Sequence, residues 1–329
     1  MRAFAQQLLI LAVTVAVLAV APGGATAAEQ LTVGVLKFGT VNWQLQTLKE
    51  QALDTAENVD VKILPLASKN ATSIALQAGE ADVIVTDWIW AQRQRAEGED
   101  FMFVPYTRAL GAVVVAQGSG ITGIAGLKGK RIGIVGGPLD KSWLVLRTWT
   151  RRTLDYDLAE HTDMAFAAPP LLSEQLRQGR LDAVLTFWPY AARLEAEGFT
   201  ILARVADVLG ELGIESAPPL VGYVFRKSTA AKRPEAFRGL FRAIARTNAH
   251  LATSDDAWDK VRPLMKAADD TEFAALKAGY RKGIPPDPAD GDLDGARKLF
   301  EIMKDLGGEK LLGRAQKFEP ELFWTPDGR

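Results

Sequence analysis

Short apolar runs alternate along the chain with stretches whose apolar positions recur at helical spacing. LTVGVL (residues 31–36), VIVT after Asp82, IGIV (132–135) and AVLT after Asp182 are runs of the first kind. Runs of this length without polar alternation read as strands buried on both faces, as in a parallel sheet. SIALQAGE and LLSEQLRQGR read as helices stopped at Gly79 and Gly179, residues suited to the left-handed position that closes a helix. The order strand, helix, strand, helix occurs twice, which predicts two α/β lobes with mostly parallel sheets.

The two halves also share residues. GEADVIVTDWIWAQRQRAEG (79–98) is answered by GRLDAVLTFWPYAARLEAEG (179–198). Leu76/Leu176, Gly79/Gly179, Asp82/Asp182, Thr86/Thr186, Trp88/Trp188, Arg93/Arg193, Glu97/Glu197 and Gly98/Gly198 are identical at an offset of one hundred. The β-rich segments ALGAVVVAQGSGI (109–121) and PPLVGYVFRKS (218–228) read as crossings between lobes. The expected organisation is a first lobe of residues 28–117 and 220–329 and a second lobe of residues 118–219. The hinge strands, around Val113–Gln117 and Tyr223–Arg226, are expected to lie side by side, as in domain closure. Beyond Arg226 the pattern turns helical, with Phe237, Leu240, Phe241, Ile244 and Leu251 on one face, and IPPDPADGD (284–292) reads as a loop.

The N-terminus departs from this pattern. Arg2, an uncharged apolar core from Leu8 to Val20 and an A-x-A run at Ala25–Ala27 read as a signal peptide over residues 1–27, cleaved to leave Ala28 or Glu29 first. The core is short for a membrane span. The chain has no cysteine, so neither a disulfide nor a thiol-linked lipid anchor is available, and a soluble periplasmic protein is expected. Formal charge is −1, with no basic tract, which argues against nucleic acid or a membrane surface as partner. His161 and His250 are the only histidines, and no HExxH, GxSxG or nucleotide-binding glycine motif occurs. No enzyme activity, cofactor or metal is expected.

Ligands of open α/β sheets bind beyond the carboxyl ends of the strands. Those ends carry KFGTVNW (37–43), LASKN (66–70), TDWIW (86–90), GGPLDKSW (136–143) and TFWPY (186–190). The candidate ligand-binding residues are therefore Lys37, Phe38, Asn42, Trp43, Ser68, Asn70, Asp87, Trp88, Gly137, Asp140, Lys141, Ser142, Phe187, Trp188 and Tyr190. Trp88 and Trp188 are read as facing a cleft between the lobes, the alternative being that each packs its own helix. Trp143 is read as packing. Ser68–Asn70 and Gly136–Ser142 each precede a helix whose free N–H groups could hold an anion. Asp87 and Asp140 could instead face a cationic solute over the rings, and Asp140 also suits a helix N-cap.

LTVGVLKFG, ALQAGEADV, GITGIAGLKGKRIGIVGG, LRQGRLDAVLTFWPY and RPEAFRGLFRAIAR together resemble periplasmic substrate-binding proteins of ABC importers, in the nitrate/sulfonate/taurine-type branch that includes thiamine-precursor binders. The likeness covers most of residues 31–250. It implies an α/β, two-lobed periplasmic-binding-protein clamshell of type II-like topology with two hinge strands and C-terminal helices. It further implies a monomer that captures a small-molecule solute between its lobes and delivers it to an ABC permease in the inner membrane. Two loops depart from the family pattern: LASKNATS has Lys69 where Gly is usual, and GGPLDKS replaces a Gly-Ser pair. Both departures weigh toward an aromatic or N-methylated organic solute and against nitrate or a sulfonate, the alternative oxyanion ligands. A periplasmic protein that binds a partner without transport is the other alternative. A regulator's effector domain would need a DNA-binding helix pair at the N-terminus, and related enzymes of this fold would need catalytic Cys or His in the cleft.

Overall fold

The computed structural model describes residues 28–285 and 293–325. The expected signal peptide and most of the IPPDPADGD loop lie outside the described residues. The chain opens with β1 (Glu29–Leu36), α1 (Val41–Glu50), α2 (Leu53–Ala56), β2 (Val59–Leu66), α3 (Lys69–Ala78), β3 (Val83–Asp87), α4 (Trp88–Ala96) and β4 (Phe101–Thr107). It continues with β5 (Ala112–Val115), β6 (Arg131–Val135), α5 (Lys141–Leu154), β7 (Asp163–Ala167), α6 (Pro169–Arg177), β8 (Ala183–Thr186), α7 (Trp188–Ala196) and β9 (Thr200–Arg204). The last elements are α8 (Val205–Glu211), β10 (Val221–Arg226), α9 (Lys227–Lys232), α10 (Pro234–Thr253), α11 (Asp255–Met265), α12 (Asp270–Gly283) and α13 (Leu293–Leu312).

The strands form two five-stranded sheets, ordered β2-β1-β3-β10-β4 and β7-β6-β8-β5-β9. The orders are the same once each strand is matched to its repeat. In both, the first three strands are parallel and the fourth is antiparallel. Each antiparallel strand has just arrived from the other lobe. β5 follows β4 and inserts between β8 and β9, whereas β10 follows β9 and α8 and inserts between β3 and β4. The two segments expected to lie side by side as hinges therefore belong to different sheets. Apolar pattern reveals that both are strands but not which sheet each one completes. The first crossing runs through residues 108–111, upstream of the expected boundary at 117, and the second through the segment between β9 and β10.

The repeated residues perform repeated tasks. The Asp82 carboxylate accepts the Thr32 N–H at 2.8 Å, and Asp182 accepts the Arg131 N–H at 2.8 Å. Each aspartate thus pins the start of its middle strand to the neighbouring first strand. Gly79 and Gly179 close their helices with φ of +76° and +66°, values that an L side chain adopts only under strain. Leu76 and Leu176 are both buried beneath these turns.

Three apolar clusters hold the molecule. One face of the first sheet, with Leu31, Val33 and Val35, packs under Leu45, Leu48, Phe237, Phe241 and Trp258 of α1, α10 and α11. The face of α10 read from the sequence is buried as expected. A second cluster joins Ile84, Phe103 and Val224 of the first sheet to Val113, Ile134 and Leu185 of the second, through Phe300 and Met303 of α13. The third covers the other face of the second sheet with α6 and α7. The C-terminal helices are not confined to one lobe: α12 packs on α7, and α13 packs on both α4 and α5. Among the described residues no helix is long and apolar enough to cross a membrane.

The first crossing tolerates little bulk. The Gly111 carbonyl accepts the Val205 N–H at 3.0 Å, and a Cβ at Gly111 would lie 2.2 Å from the Thr186 carbonyl oxygen. Backbone, unlike a side chain, cannot swing aside. Gly111→Ala is expected to lose about 1–3 kcal/mol in urea unfolding, the usual cost of overpacking. An unchanged midpoint would show that the crossing is loose.

Candidate functional site

The carboxyl ends of β1, β2 and β3 open into residues 37–40, 67–68 and the start of α4, and those of β6, β7 and β8 open into 136–140, Ala168 and Phe187. The two sets of loops meet. Lys141, the first residue of α5 in the second lobe, donates its Nζ–H to Asp87 Oδ2 in the first at 3.0 Å. Trp188 of α7 stands edge-on to Trp43 of α1 with ring centroids 6.2 Å apart. A Cβ at Gly279 of α12 would lie 2.8 Å from the Trp188 ring, so this helix approaches the indole by having no side chain there.

Asp87 is 5% exposed. Its Oδ1 accepts the Trp90 N–H at 2.9 Å and caps α4. Burial pushes its pKa up, but the ammonium groups of Lys141 and Lys69 and the Trp90 N–H together outweigh burial and hold it below the ordinary 3.8. Asp140 caps α5 by accepting the Ser142 N–H at 3.0 Å and the Trp143 N–H at 3.2 Å. Here burial prevails over the same two lysines, and the pKa is raised. Lys69, Lys141, Asp87 and Asp140 thus form a four-charge cluster drawn from both lobes. The glycine pair before it is required by the turn. Gly136 and Gly137 have φ of +86° and +88°, and a Cβ on Gly136 would meet Asp140 Oδ2 at 2.6 Å.

Several expected site residues serve the scaffold. Trp88 is fully buried: its ring meets Phe318 edge-on at 5.6 Å and Phe323 at 5.9 Å, because the C-terminal segment folds over α4. It does not face the cleft, and its Nε1 is buried with no hydrogen-bond partner. Trp43 is nearly buried, wedged against Trp258 and Tyr280, and only its contact with Trp188 reaches the other lobe. Asn42 uses its amide to donate to the carbonyls of Leu36 and Gly39, both at 2.8 Å, and so staples the β1–α1 loop. The Ser68 hydroxyl accepts the Ala71 N–H and caps α3. Asp87 already has its cation in Lys141, so it is not open to a cationic solute. Trp143 is buried in the second cluster, in line with the packing reading.

Among the strand-end loops, Lys37, Phe38, Ser68 and Asn70 are exposed on one side, in the first lobe. Gly137, Ser142, Trp188 and Tyr190 are half-buried and Phe187 is exposed on the other. Phe38 is 82% exposed, with Lys266 Nζ 4.7 Å from its ring centre. Lys266, Tyr280, Gly279 and Arg193 were not expected at the site. Arg193 carries a signal in the repeat, but the C-terminal helices have no repeat to mark them. Arg193 donates to the carbonyls of Met265 at 2.6 Å and Lys266 at 3.2 Å and pairs with Glu272. A cation on the unpaired carbonyls ending α11 is favourable. This contact braces α7 of the second lobe against α11 and α12. Two surface hollows of about 400 and 460 Å³, around Lys304–Gln316 and Glu195–Asp207, lie away from the strand-end loops. Among the described residues no group of His, Asp or Glu is placed to hold a metal ion.

A family model described as NMT1/THI5 like matches residues 55–256, more than half of the chain. The chain belongs to the NMT1/THI5-like family. No protein of curated function matches its sequence. Solved structures similar to this NMT1/THI5-like chain include the periplasmic aliphatic sulphonate-binding protein SsuA from Escherichia coli. That pair is 18% identical with a TM-score of 0.68, over 89% of this chain and 92% of that one. The alkanesulfonate-binding protein SsuA from Xanthomonas axonopodis pv. citri, bound to MOPS, is 18% identical with a TM-score of 0.65, over 91% and 99%. The desulfurization enzyme DSZB is a weaker likeness, 16% identical with a TM-score of 0.55, over 89% and 97%. At these identities the likeness establishes the two-lobed fold of periplasmic binding proteins for the NMT1/THI5-like chain.

The cross-lobe ion pair gives a measurable signature. Asp87→Asn keeps the capping oxygen and removes the charge, and it is expected to cost about 2 kcal/mol, between the values for exposed and buried pairs. Because the Asp87 pKa is lowered in the fold, its contribution is complete above the ordinary carboxylate range and is lost as pH falls through the lowered folded value. The stability gap between parent and variant should hold from about pH 8 to about pH 5 and close in stronger acid. Urea titrations across pH measure it, and a gap that widens in acid would contradict the assignment.

Proposed function

We propose that this chain is the periplasmic solute-binding component of an ABC importer, a monomer exported by the signal peptide over residues 1–27. It closes its lobes on a small organic solute and delivers it to an inner-membrane permease. The observation that carries this reading is the meeting of charged and aromatic groups from both lobes at the strand ends. Such a meeting favours a ligand held between lobes over one bound on either alone. Family membership and the likeness to sulfonate-binding proteins support it. The flat part of the solute would rest on Trp188, Phe187, Tyr190 and Phe38, with a charged end near Lys37 and Lys69. These groups make a mostly apolar site with sparse polar contacts, as small-molecule sites have.

An oxyanion ligand is the second reading. Lys37 and Lys69 stand on the rim beside the N-terminus of α3, and a helix N-terminus favours negative charge. Protein purified from its own periplasm and examined by native mass spectrometry would reveal a retained solute by its mass. Calorimetry then separates the readings. For an organic solute, Trp188→Ala weakens binding by about 1–3 kcal/mol, the value of a lost aromatic contact with its buried area. Lys69→Ala would weaken it less. For a bare oxyanion the order reverses. Protein that retains nothing and stays in the cytoplasm would sink both readings.

A further inference from the structure

Arg93 and Arg193 occupy the same position in the two copies of the repeat, and their contacts differ. Arg93 of α4 is exposed and lies against Gly313, in a C-terminal segment that the same helix already holds. There Gln92 donates to the Lys317 carbonyl at 2.6 Å and Arg95 pairs with Glu319 at 2.8 Å. Arg193 of α7 reaches out of its own lobe. α7 is fixed to the second sheet by Ala191 and Leu194, whereas α11 and α12 are fixed to the first by Trp258, Leu276 and Tyr280. The Arg193 guanidinium spans that boundary. It donates to the Met265 and Lys266 carbonyls where α11 ends and pairs with Glu272 in the first turn of α12.

The receiving side suits a cation. Lys266 has φ of +52°, in the left-handed region that residues other than glycine occupy at a cost, and the turn it makes ends α11 with the two carbonyls that accept from Arg193. Glu272 is 6% exposed, and its second carboxylate oxygen accepts the Ala268 N–H at 3.1 Å, which holds it in place. A carboxylate buried to this extent needs an opposite charge, and Arg193 supplies it from the other lobe. Trp188, at the start of α7, meets Gly279 and Trp43 by nonpolar packing, which fixes no single angle. The Arg193 hydrogen bonds are directional and weaken steeply once α7 turns away.

We propose that Arg193 is a latch: its guanidinium holds the lobes together in the solute-free protein, and parting them releases it from Met265, Lys266 and Glu272 as a unit. The latch does not depend on which solute fills the cleft. On the solute-binding reading above it has a consequence. A solute that binds the joined lobes benefits from the latch, so losing it lowers the apparent affinity by the factor by which the joined population falls.

The chain has no cysteine, so thiols placed at the exposed positions Glu195 on α7 and Lys260 on α11 can carry spin labels across the latch. In protein freed of solute by unfolding and refolding, double electron–electron resonance should find a short distance. Arg193→Gln should raise the ratio of longer to short distances by about tenfold, the scale of hydrogen bonds to a charged group. That variant leaves Glu272 buried without its partner, so the paired variant Arg193→Gln/Glu272→Gln removes the second charge as well. It should show the same shift and keep the parent's circular dichroism. Arg93→Gln, the equivalent change in the first copy, should leave the distribution as it is. An unchanged distribution in both Arg193 variants, an equal shift in Arg93→Gln, or a parent with no short distance would overturn the latch. So would loss of folding in the paired variant, which would make these groups scaffold. Every measurement uses solute-free protein, so the solute-binding reading stands or falls separately, on the solute retained in native mass spectrometry.

Discussion

A carboxylate removed from water must find compensation nearby, and Asp87 finds part of its own in the other lobe. The Trp90 N–H comes from the helix that Asp87 caps, whereas the ammonium of Lys141 comes from a separate sheet. The end of the central strand β3 thus draws on the second lobe as well as on Lys69 and Trp90 of its own. Lys141 begins its own helix beside the Asp140 cap, so one short segment of the second lobe both starts α5 and neutralises the first lobe's strand end. The aromatic contact of Trp43 with Trp188 and the guanidinium brace of Arg193 act at the same interface through different forces. Apolar packing fills, directional bonds fix the angle, and the ion pair joins the lobes through charge.

Much of this was legible in the sequence because it rests on local rules. Glycines at 79 and 179, the aspartates that pin the strands and the apolar runs between them specify two equal sheets. Placing an antiparallel strand needs tertiary information. β5 and β10 look alike in sequence, and only the packing decides that each completes the sheet it has just entered. The same limit applies to Trp88 and Trp188. They occupy equivalent positions, yet Trp88 is fully enclosed by Phe318 and Phe323 from far along the chain, while Trp188 stays half-buried between Gly279 of α12 and the Trp43 ring of the opposite lobe. A repeat guarantees equal backbones, and later segments decide what each copy's side chain touches.

Those later segments also bind the lobes together. α12 reaches α7, and α13 reaches both α4 and α5. Between the crossings and these helices, a hinge would have to shear the α7–α12 contact as well as bend at residues 108–111. A protein built this way favours few positions, and on the proposed reading a solute would select among them by the contacts it adds when the lobes are together.

Closure coupled to solute is the central claim, and a distance across the lobes tests it most directly. The absence of cysteine allows single thiols to be placed cleanly at the exposed positions Ala78 on α3 and Gln178 after α6. Spin labels there, read by double electron–electron resonance, should give a broad or longer distance distribution in protein stripped of solute. The distribution should become one narrow, shorter distance when the retained solute is returned. The same distribution in both states would contradict closure and leave a rigid molecule in its place.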